Sequence, residues 1–256
     1  EEYFLFDCGE GTFGQLCRKF GPLAQRICQR IKAIFISHLH ADHHLGTIKF
    51  LLNCNIGENP LTVFAPPCLI DWYSNYSKFD CSVSRNVNFV ALEPMKTIII
   101  NQKCPFNSSH LKPEFVAVPV LHCHESFGFV VDFYRSSSRF RIAYSGDTLP
   151  CSLFNSLSTG SDIFVHEATF DDSLAGEAKR RQHCTISQAI SCFQESKSKH
   201  AILTHFSQRY PKFPEFIESY SNVSLAFDGM HALLDDLDSL SHFHNAIESF
   251  FMKIEH

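Results

Sequence analysis

The sequence predicts a mixed α/β fold with many strands. Short apolar runs rich in β-branched and aromatic residues recur along the 256-residue chain, and apolar positions at helical spacing separate some of them. Several of these runs end where polar residues able to bind a metal begin, which is typical of a site built from loops at one edge of stacked sheets. No shift in composition marks a boundary, so we expect a single domain over residues 1–256.

The predicted elements follow from these runs in order. The strands are 3–7, 33–37, 61–65, 88–92, 115–121, 127–134, 140–145, 163–167, 200–204 and 223–227. Helical spacing predicts helices at 44–52, 68–79, 185–195, 233–240 and 243–254, the last two without a functional interpretation. A capping-box pattern, Thr185 with Gln188, predicts the start of the third helix. Two prolines and little periodicity predict a long surface loop at 101–114.

Charge and cysteine content limit the class of protein. A formal net charge of -5 argues against nucleic-acid binding through global attraction. Local basic patches are still candidates, although each is also consistent with a solvated face: Arg26, Arg30 and Lys32; Lys179, Arg180 and Arg181; and Arg209 with Lys212. The eleven cysteines form no Cys-x-x-Cys pair and favour buried, reduced thiols. No apolar run is long enough for a membrane span, so no membrane partner is expected.

Four possible metal ligands directly follow the strand predicted at 33–37: His38, His40, Asp42 and His43. One loop could supply two ions, because the first two side chains can point one way while the last two turn another. Imidazole with carboxylate suits zinc, or manganese where oxygen donors dominate. Gly46 is expected to allow a tight turn into the next helix. A histidine-rich polar turn is the alternative, but this spacing after a buried strand favours a metal-dependent hydrolase site.

The spacing His-x-His-x-Asp-His-x-x-Gly resembles that of the metallo-β-lactamase superfamily. Further motifs in the same order resemble tRNase Z within it: DCGEGT at 7–12, SHLHADHHLG at 37–46, HCHESFG at 122–128, SGDT at 145–148, HEAT at 166–169 and HFSQRY at 205–210. The resemblance spans residues 7 to about 228. It implies an αββα sandwich with a dinuclear metal site at one edge.

The resemblance also implies residue roles. Two Zn²⁺ ions, for which Mn²⁺ could substitute, would be held by His38, His40 and His122 at one position, by Asp42, His43 and His205 at the other, and by Asp147 at both. Read alone, His122 could be a core histidine, Asp147 a turn residue and His205 a polar strand end. Catalysis is assigned to Asp42 and to a general acid, His183, oriented by Glu167. The implied substrate contacts are Gly11, Thr12, Ser207 and Arg209.

Residues around His183 give the general-acid assignment modest physical support. A helix that starts just after His183 would favour a nearby phosphate at its amino end. The same dipole would disfavour a charged imidazole, and a neighbouring Glu167 would restore its affinity for a proton. The alternative is that His183 merely precedes a surface helix.

The implied function is zinc-dependent removal of the 3′ trailer from precursor tRNA, with the cut after the discriminator nucleotide. The chain lacks the Pro-x-Lys-x-Arg-Asn loop of the family, and the interval between His122 and Asp147 is too short for a tRNA-binding arm. It therefore resembles the carboxy-terminal half of a long-form tRNase Z. A missing amino-terminal half would carry the arm, and the expected location is the nucleus, the mitochondrion or both.

Two alternatives stay open. The metal site alone does not determine which phosphodiester is the substrate. Another phosphodiesterase of the superfamily is therefore the second hypothesis for an enzyme. A non-catalytic half that pairs with a partner domain is the third. Such halves usually lose ligands, whereas all seven ligand positions are filled here. The sequence does not indicate an oligomeric state.

Overall fold

The computed structural model describes residues 2–54, 60–100, 112–135, 138–207 and 220–243. Two compact units can be recognised, one formed by Glu1–Pro119 with Cys123–Arg139 and the other by Val120–His122 with Phe140–His256. A single domain over the whole chain stays a prediction. Within the described ranges, no helix combines the length and the apolar character that crossing a membrane requires.

The first unit contains a parallel sheet and three antiparallel strands. Its parallel sheet has the strand order β1 (Tyr3–Phe6), β2 (Ile31–Phe35), β3 (Leu61–Ala65), β4 (Val87–Ala91). Its antiparallel strands are β5 (Thr97–Ile99), β6 (Lys112–Pro119) and β7 (Phe127–Arg135). Five α-helices belong to the described part of this unit: α1 (Thr12–Phe20), α2 (Ala24–Cys28), α3 (Ala41–His44), α4 (Gly46–Asn53) and α5 (Pro67–Phe79).

Strand alternation divides the core of this unit into two layers. Ile34 and Val63 pack in a cluster with residues of α4 and α5, on the helix side of the parallel sheet. Their neighbours Phe35 and Phe64 contact Phe115 of β6 instead, with ring centroids 4.9 and 4.8 Å apart in edge-on geometry. Successive side chains of a strand point to opposite faces, so a continuous apolar run serves a sheet that is covered on both sides. Burial of each of these phenylalanine side chains contributes about 1.5–3 kcal/mol to the stability of the fold.

The second unit contains a parallel run of strands, β8 (Ser138–Tyr144), β9 (Ile163–Glu167), β10 (His200–Thr204) and β11 (Val223–Leu225). Its α-helices in the described ranges are α6 (Ser152–Leu157), α7 (Ala175–Arg181) and α8 (Ile186–Ser196). Phe193 of α8 packs on Phe164 of β9, with centroids 6.2 Å apart. The predicted capping box starts α8 and is confirmed, because Thr185 and Gln188 exchange both hydrogen bonds.

The structure corrects several sequence predictions. Three strands have the predicted bounds, β3, β9 and β10, and the others shift by a few residues. Residues 112–114 belong to β6, so that end of the predicted loop is wrong, and 101–111 lie outside the described residues. Six short strands and α-helices were not predicted: β5, α1, α2, α3, α6 and α7. Residues Leu234–Phe243 form a 3₁₀-helix rather than the predicted α-helix, and 244–254 lie outside the described part.

Cysteine burial agrees with reduced thiols. None of the cysteines in the described ranges forms a disulfide, and Cys8 is fully buried. Burial raises the pKa of the Cys8 thiol to about 12, so this group stays protonated and packs as a small apolar residue.

Candidate metal centre

Strand register places the first group of candidate ligands at one edge of the parallel sheet. β1 and β2 run in the same direction, with Phe6 opposite Phe35. The residues that follow the two strands therefore leave the sheet at its carboxyl edge, where Asp7 and Ser37 meet: Ser37 N lies 2.7 Å from Asp7 Oδ1. His38 comes next and is completely buried.

Asp7 organises the imidazoles of the first unit. Its Oδ2 accepts hydrogen bonds from Ser37 Oγ at 2.9 Å and from His43 Nδ1 at 2.7 Å. Because the Ser37 hydroxyl donates to Asp7, it accepts from His38 Nδ1, 2.9 Å away. Both imidazoles thus carry their proton on Nδ1 and the lone pair on Nε2, the tautomer that binds a metal through Nε2. Asp7 adopts φ 59°, a strained conformation for a non-glycine residue that is typical of functional sites.

The other candidate ligands of this unit lie next to these imidazoles. Nε2 of His38 is 3.0 Å from Nδ1 of His40, and Nε2 of His43 is 3.6 Å from Oδ2 of Asp42. The prediction that one loop carries all four is wrong in detail, because Asp42 and His43 belong to the short helix α3. His43 is buried, whereas the Asp42 side chain is 68% exposed.

Two glycines fix the loop that carries these residues. A Cβ at Gly46 would lie 1.7 Å from the carbonyl oxygen of Gly9, and a Cβ at Gly9 would lie 2.0 Å from that of Asp42. No side chain fits such distances. The expectation that Gly46 serves a tight turn is therefore corrected: it is needed for close approach of two backbones, and this approach holds Asp42 beside the segment that follows Asp7.

The second unit repeats the arrangement at the carboxyl edge of its own parallel strands. Tyr144 pairs with Val165, and Glu167 pairs with Thr204. The segments after β8, β9 and β10 therefore emerge side by side. They carry Asp147, Thr169 and His205, respectively.

Asp147 lies between two histidines. Its Oδ2 is 3.7 Å from Nε2 of His122, and its Oδ1 is 3.5 Å from Nε2 of His205. These distances are too long for hydrogen bonds. Ligands held about 2.0–2.1 Å from a tetrahedral zinc lie roughly 3.3 Å apart, close to the spacing observed. Each oxygen of this carboxylate thus faces a different imidazole.

Hydrogen bonds of Nδ1, on the opposite side of each ring from Nε2, fix the tautomers of His122 and His205. His122 Nδ1 donates to the backbone carbonyl of Gln182 at 2.8 Å. His205 Nδ1 lies 2.8 Å from Thr169 Oγ1, whose hydroxyl donates to Glu167 Oε2 at 2.7 Å. The lone pairs on Nε2 therefore face the carboxylate of Asp147. Such lone pairs repel a carboxylate unless a cation or a proton lies between them, so this donor set fits a bound transition metal.

Glu167 is a buried carboxylate with five donors. Oε1 accepts from the backbone N–H of Thr148 at 2.9 Å and from Nδ1 of His183 at 2.8 Å. Oε2 accepts from both the backbone N–H and the hydroxyl of Thr169, and from the backbone N–H of Cys184 at 3.1 Å. This number of donors holds the carboxylate in one orientation and prevents rotation of the side chain.

His183 connects Glu167 with the candidate metal ligands. Its Nδ1 is 3.9 Å from Oδ2 of Asp147, and its side chain is 13% exposed. With Nδ1 donating to Glu167, Nε2 is the atom able to exchange a proton with a substrate. The same side chain also belongs to two ligand-type groups, one with His122 and Asp147 and one with Glu167 and His205, so a role as metal ligand is the structural alternative.

Two supporting residues were not predicted. Asp7 and Thr169 stand in quoted motifs but were given no role, although Asp7 ends one predicted strand and Thr169 lies two residues after another, which was the available signal. The expected substrate contacts belong to separate segments of the chain. Gly11 and Thr12 lie at the start of α1, Ser207 N donates to the carbonyl of Thr169 at 3.1 Å, and Arg209 lies outside the described residues.

Comparison with known proteins identifies the class. A family model described as "Beta-lactamase superfamily domain" matches residues 2–206. The chain belongs to this superfamily, and the predicted metallo-β-lactamase fold is confirmed.

Several curated relatives are similar over most of the chain. It is 35% identical over 252 residues to Ribonuclease Z 1 of Schizosaccharomyces pombe, covering 93% of this chain and 30% of the relative. It is 34% identical to "Ribonuclease Z, mitochondrial" of Drosophila melanogaster, covering 98% and 33%. It is 36% identical to "Zinc phosphodiesterase ELAC protein 2" of Homo sapiens, covering 92% and 30%. The chain thus spans about a third of these relatives.

Two solved structures have a similar fold. A long-form RNase Z from yeast superposes with a TM-score of 0.82 at 24% identity, covering 97% of this chain and 39% of that protein. The short form of human tRNase Z gives a TM-score of 0.69 at 26% identity, covering 91% and 88%.

Proposed function

We propose that this chain provides the catalytic part of a zinc-dependent endoribonuclease that removes the 3′ trailer from precursor tRNA, cutting after the discriminator nucleotide. One observation carries the proposal: the carboxylate of Asp147 separates the Nε2 atoms of His122 and His205, with the His183–Glu167 pair beside it. The similarity to ribonuclease Z relatives supports the choice of RNA substrate. Because the chain spans about a third of these relatives, the activity of the whole protein belongs to the same proposal.

The proposed cofactors are two zinc ions. As the resemblance implies, His38, His40 and His122 would hold one ion, Asp42, His43 and His205 the other, and Asp147 both. Support comes from the geometry inside each unit, where Nδ1 hydrogen bonds present the Nε2 lone pairs of His38, His43, His122 and His205. Manganese could substitute. When bound, such ions lower the pKa of water and neutralise charge on a phosphoryl group.

The residues of the chain then supply positioning and a proton. Cleavage breaks the bond between phosphorus and the 3′ oxygen of the tRNA, so that oxygen leaves as an alkoxide unless it is protonated. We assign the donation of this proton to Nε2 of His183, while the hydrogen bond from Nδ1 to Glu167 keeps the imidazole oriented. Asp42, whose side chain is 68% exposed, is also proposed as a catalytic residue that helps to hold the attacking water. The products are a 3′ hydroxyl on the tRNA and a 5′ phosphate on the trailer.

A cleavage assay tests this function. The full-length protein is incubated with a precursor tRNA that carries a 3′ trailer, with and without a zinc chelator, and with a small chromogenic phosphodiester in parallel. We expect a chelator-sensitive cut after the discriminator nucleotide. Turnover of the small diester without any cut in the RNA would favour another phosphodiesterase. The absence of stoichiometric zinc and of both activities would favour a non-catalytic half.

The same proposal includes precursor tRNA as the partner and the nucleus, the mitochondrion or both as the location. Support for the mitochondrion is the name of the Drosophila relative. Binding of the tRNA body by a further part of the protein is also proposed, on the resemblance to the long form.

A further inference from the structure

A run of three basic side chains ends helix α7, immediately before the general-acid candidate: Lys179, Arg180 and Arg181. All three are exposed. Glu177, one turn earlier, forms ion pairs with both arginines, and the Arg181 Nε to Glu177 Oε1 distance is 2.5 Å. Exposed ion pairs of this kind are weak in water, so either arginine can exchange Glu177 for another anion.

The end of this helix is tied to the candidate centre. Gln182 follows α7 in the left-handed conformation, with φ 59°, and its carbonyl accepts the hydrogen bond from His122 Nδ1 at 2.8 Å. The backbone N–H of His183 donates to the carbonyl of Ala178 at 2.9 Å. Only Gln182 separates Arg181 from His183, so the Cα atoms of Arg181 and His183 are at most about 7.6 Å apart. The helix end that carries the cations is therefore adjacent in the chain to the residue that would protonate the leaving group.

We propose that Lys179, Arg180 and Arg181 bind phosphates of the RNA strand next to the scissile one. The inference rests on the proposed function, because it takes the phosphate beside His183 as part of an RNA. The proposal is compatible with the net negative charge of the chain. A local basic surface can bind the RNA backbone where the net charge does not favour binding. The guanidinium groups contribute affinity and orientation, whereas the proton comes from His183.

A structural role makes a different prediction. Basic residues in the last turn of a helix stabilise its carbonyl end whether or not RNA is bound. That role would change stability on substitution and would leave the salt dependence of RNA binding unaltered.

The test compares a triple variant, Lys179→Gln, Arg180→Gln and Arg181→Gln, with the wild type in the full-length, zinc-loaded protein. Glutamine keeps the helix propensity close to that of lysine and arginine. RNA binding is measured by fluorescence anisotropy with a trailer-bearing RNA across a series of salt concentrations. We expect the slope of log affinity against log salt to decrease in magnitude by about 2, since each single-strand phosphate contact contributes roughly 0.7. Hydrolysis of a small chromogenic phosphodiester should keep its kcat.

Lys199→Gln is the matched control. Lys199 is exposed in the same unit and pairs with Asp162, but it precedes β10, at the opposite end of that strand from His205. A single Lys179→Gln variant should weaken RNA binding, and Lys199→Gln should not. An unchanged salt slope in the triple variant, or an equal loss of diester hydrolysis and RNA binding, overturns the inference. Failure of the wild type to cut RNA at the trailer junction overturns the proposed function instead, while the binding measurement still tests the basic surface.

Discussion

His183 Nδ1 lies 2.8 Å from Oε1 of Glu167, and the carboxylate is held by four further donors. A carboxylate fixed in this way selects one tautomer of the histidine and leaves Nε2 for proton transfer. This arrangement supports the proposal that His183 is a general acid and that Glu167 orients it. The residue before His183, Gln182, carries the carbonyl that accepts the hydrogen bond from His122.

The first prediction concerns His183. We expect His183→Ala to slow cleavage of precursor tRNA by about 10²- to 10⁴-fold, the usual contribution of a positioned acid, while the zinc content stays at the wild-type value. Single-turnover kinetics and elemental analysis on the same preparation check this. His231→Ala, at an exposed histidine of the same unit, should change neither value. Loss of zinc from His183→Ala would show that His183 is a ligand and not the acid.

The second prediction concerns Asp147. Asp147→Asn removes the negative charge that separates the Nε2 atoms of His122 and His205, so zinc should be retained substoichiometrically and cleavage lost. Since zinc that binds only the folded state stabilises it, chelation should lower the Tm of the wild type and have little effect on this variant. Asp235→Asn, at an exposed aspartate, is the control. A wild-type Tm that does not respond to chelation would contradict a structural contribution of the metal.

The sequence predicted strands β3, β9 and β10 with the bounds that the structure has, whereas the set of metal ligands stays a prediction. Strands such as β3 and β9 were predictable because a sheet covered on both faces needs a continuous apolar run. The motifs also indicate the types of ligand, because histidine and aspartate that recur after several strands are typical of a metal site. The short helices α2 and α6 were missed, because five or six residues do not establish a helical period.

Long-range hydrogen bonds could not be predicted from spacing. Asp7 and His43 are 36 residues apart, and Thr169 and His205 are also 36 apart, so only the parallel strand register brings each pair together. The same holds for Gly46, whose local sequence suggested a turn. Its role depends on Gly9, a residue from a different loop.

The third prediction concerns Asp7. Asp7→Asn removes a charged acceptor that receives hydrogen bonds from Ser37 and from His43 Nδ1. Substitution of a residue that orients a metal-binding histidine typically lowers metal affinity by 10- to 100-fold. We expect a decrease in zinc affinity of that size. Competition with a zinc-responsive chelating dye measures it. Asp71→Asn on the exposed face of α5 serves as the control. Wild-type zinc affinity in Asp7→Asn would contradict the role given to this carboxylate.

The fourth prediction compares two glycine-to-alanine changes. Gly46→Ala places a Cβ 1.7 Å from the carbonyl oxygen of Gly9, so one of the two backbones has to move. We expect a decrease of about 1–3 kcal/mol or more in the free energy of unfolding, together with weaker zinc binding, because the displaced segment carries Asp42 and His43. Gly176→Ala in α7 meets no atom within 4 Å and should stabilise the protein by up to about 1 kcal/mol through helix propensity. Urea denaturation of both variants, with and without zinc, distinguishes the effects. Equal stability of the two variants would show that the loops at Gly9 and Gly46 separate without cost, and the close approach would then not explain how these ligands are positioned.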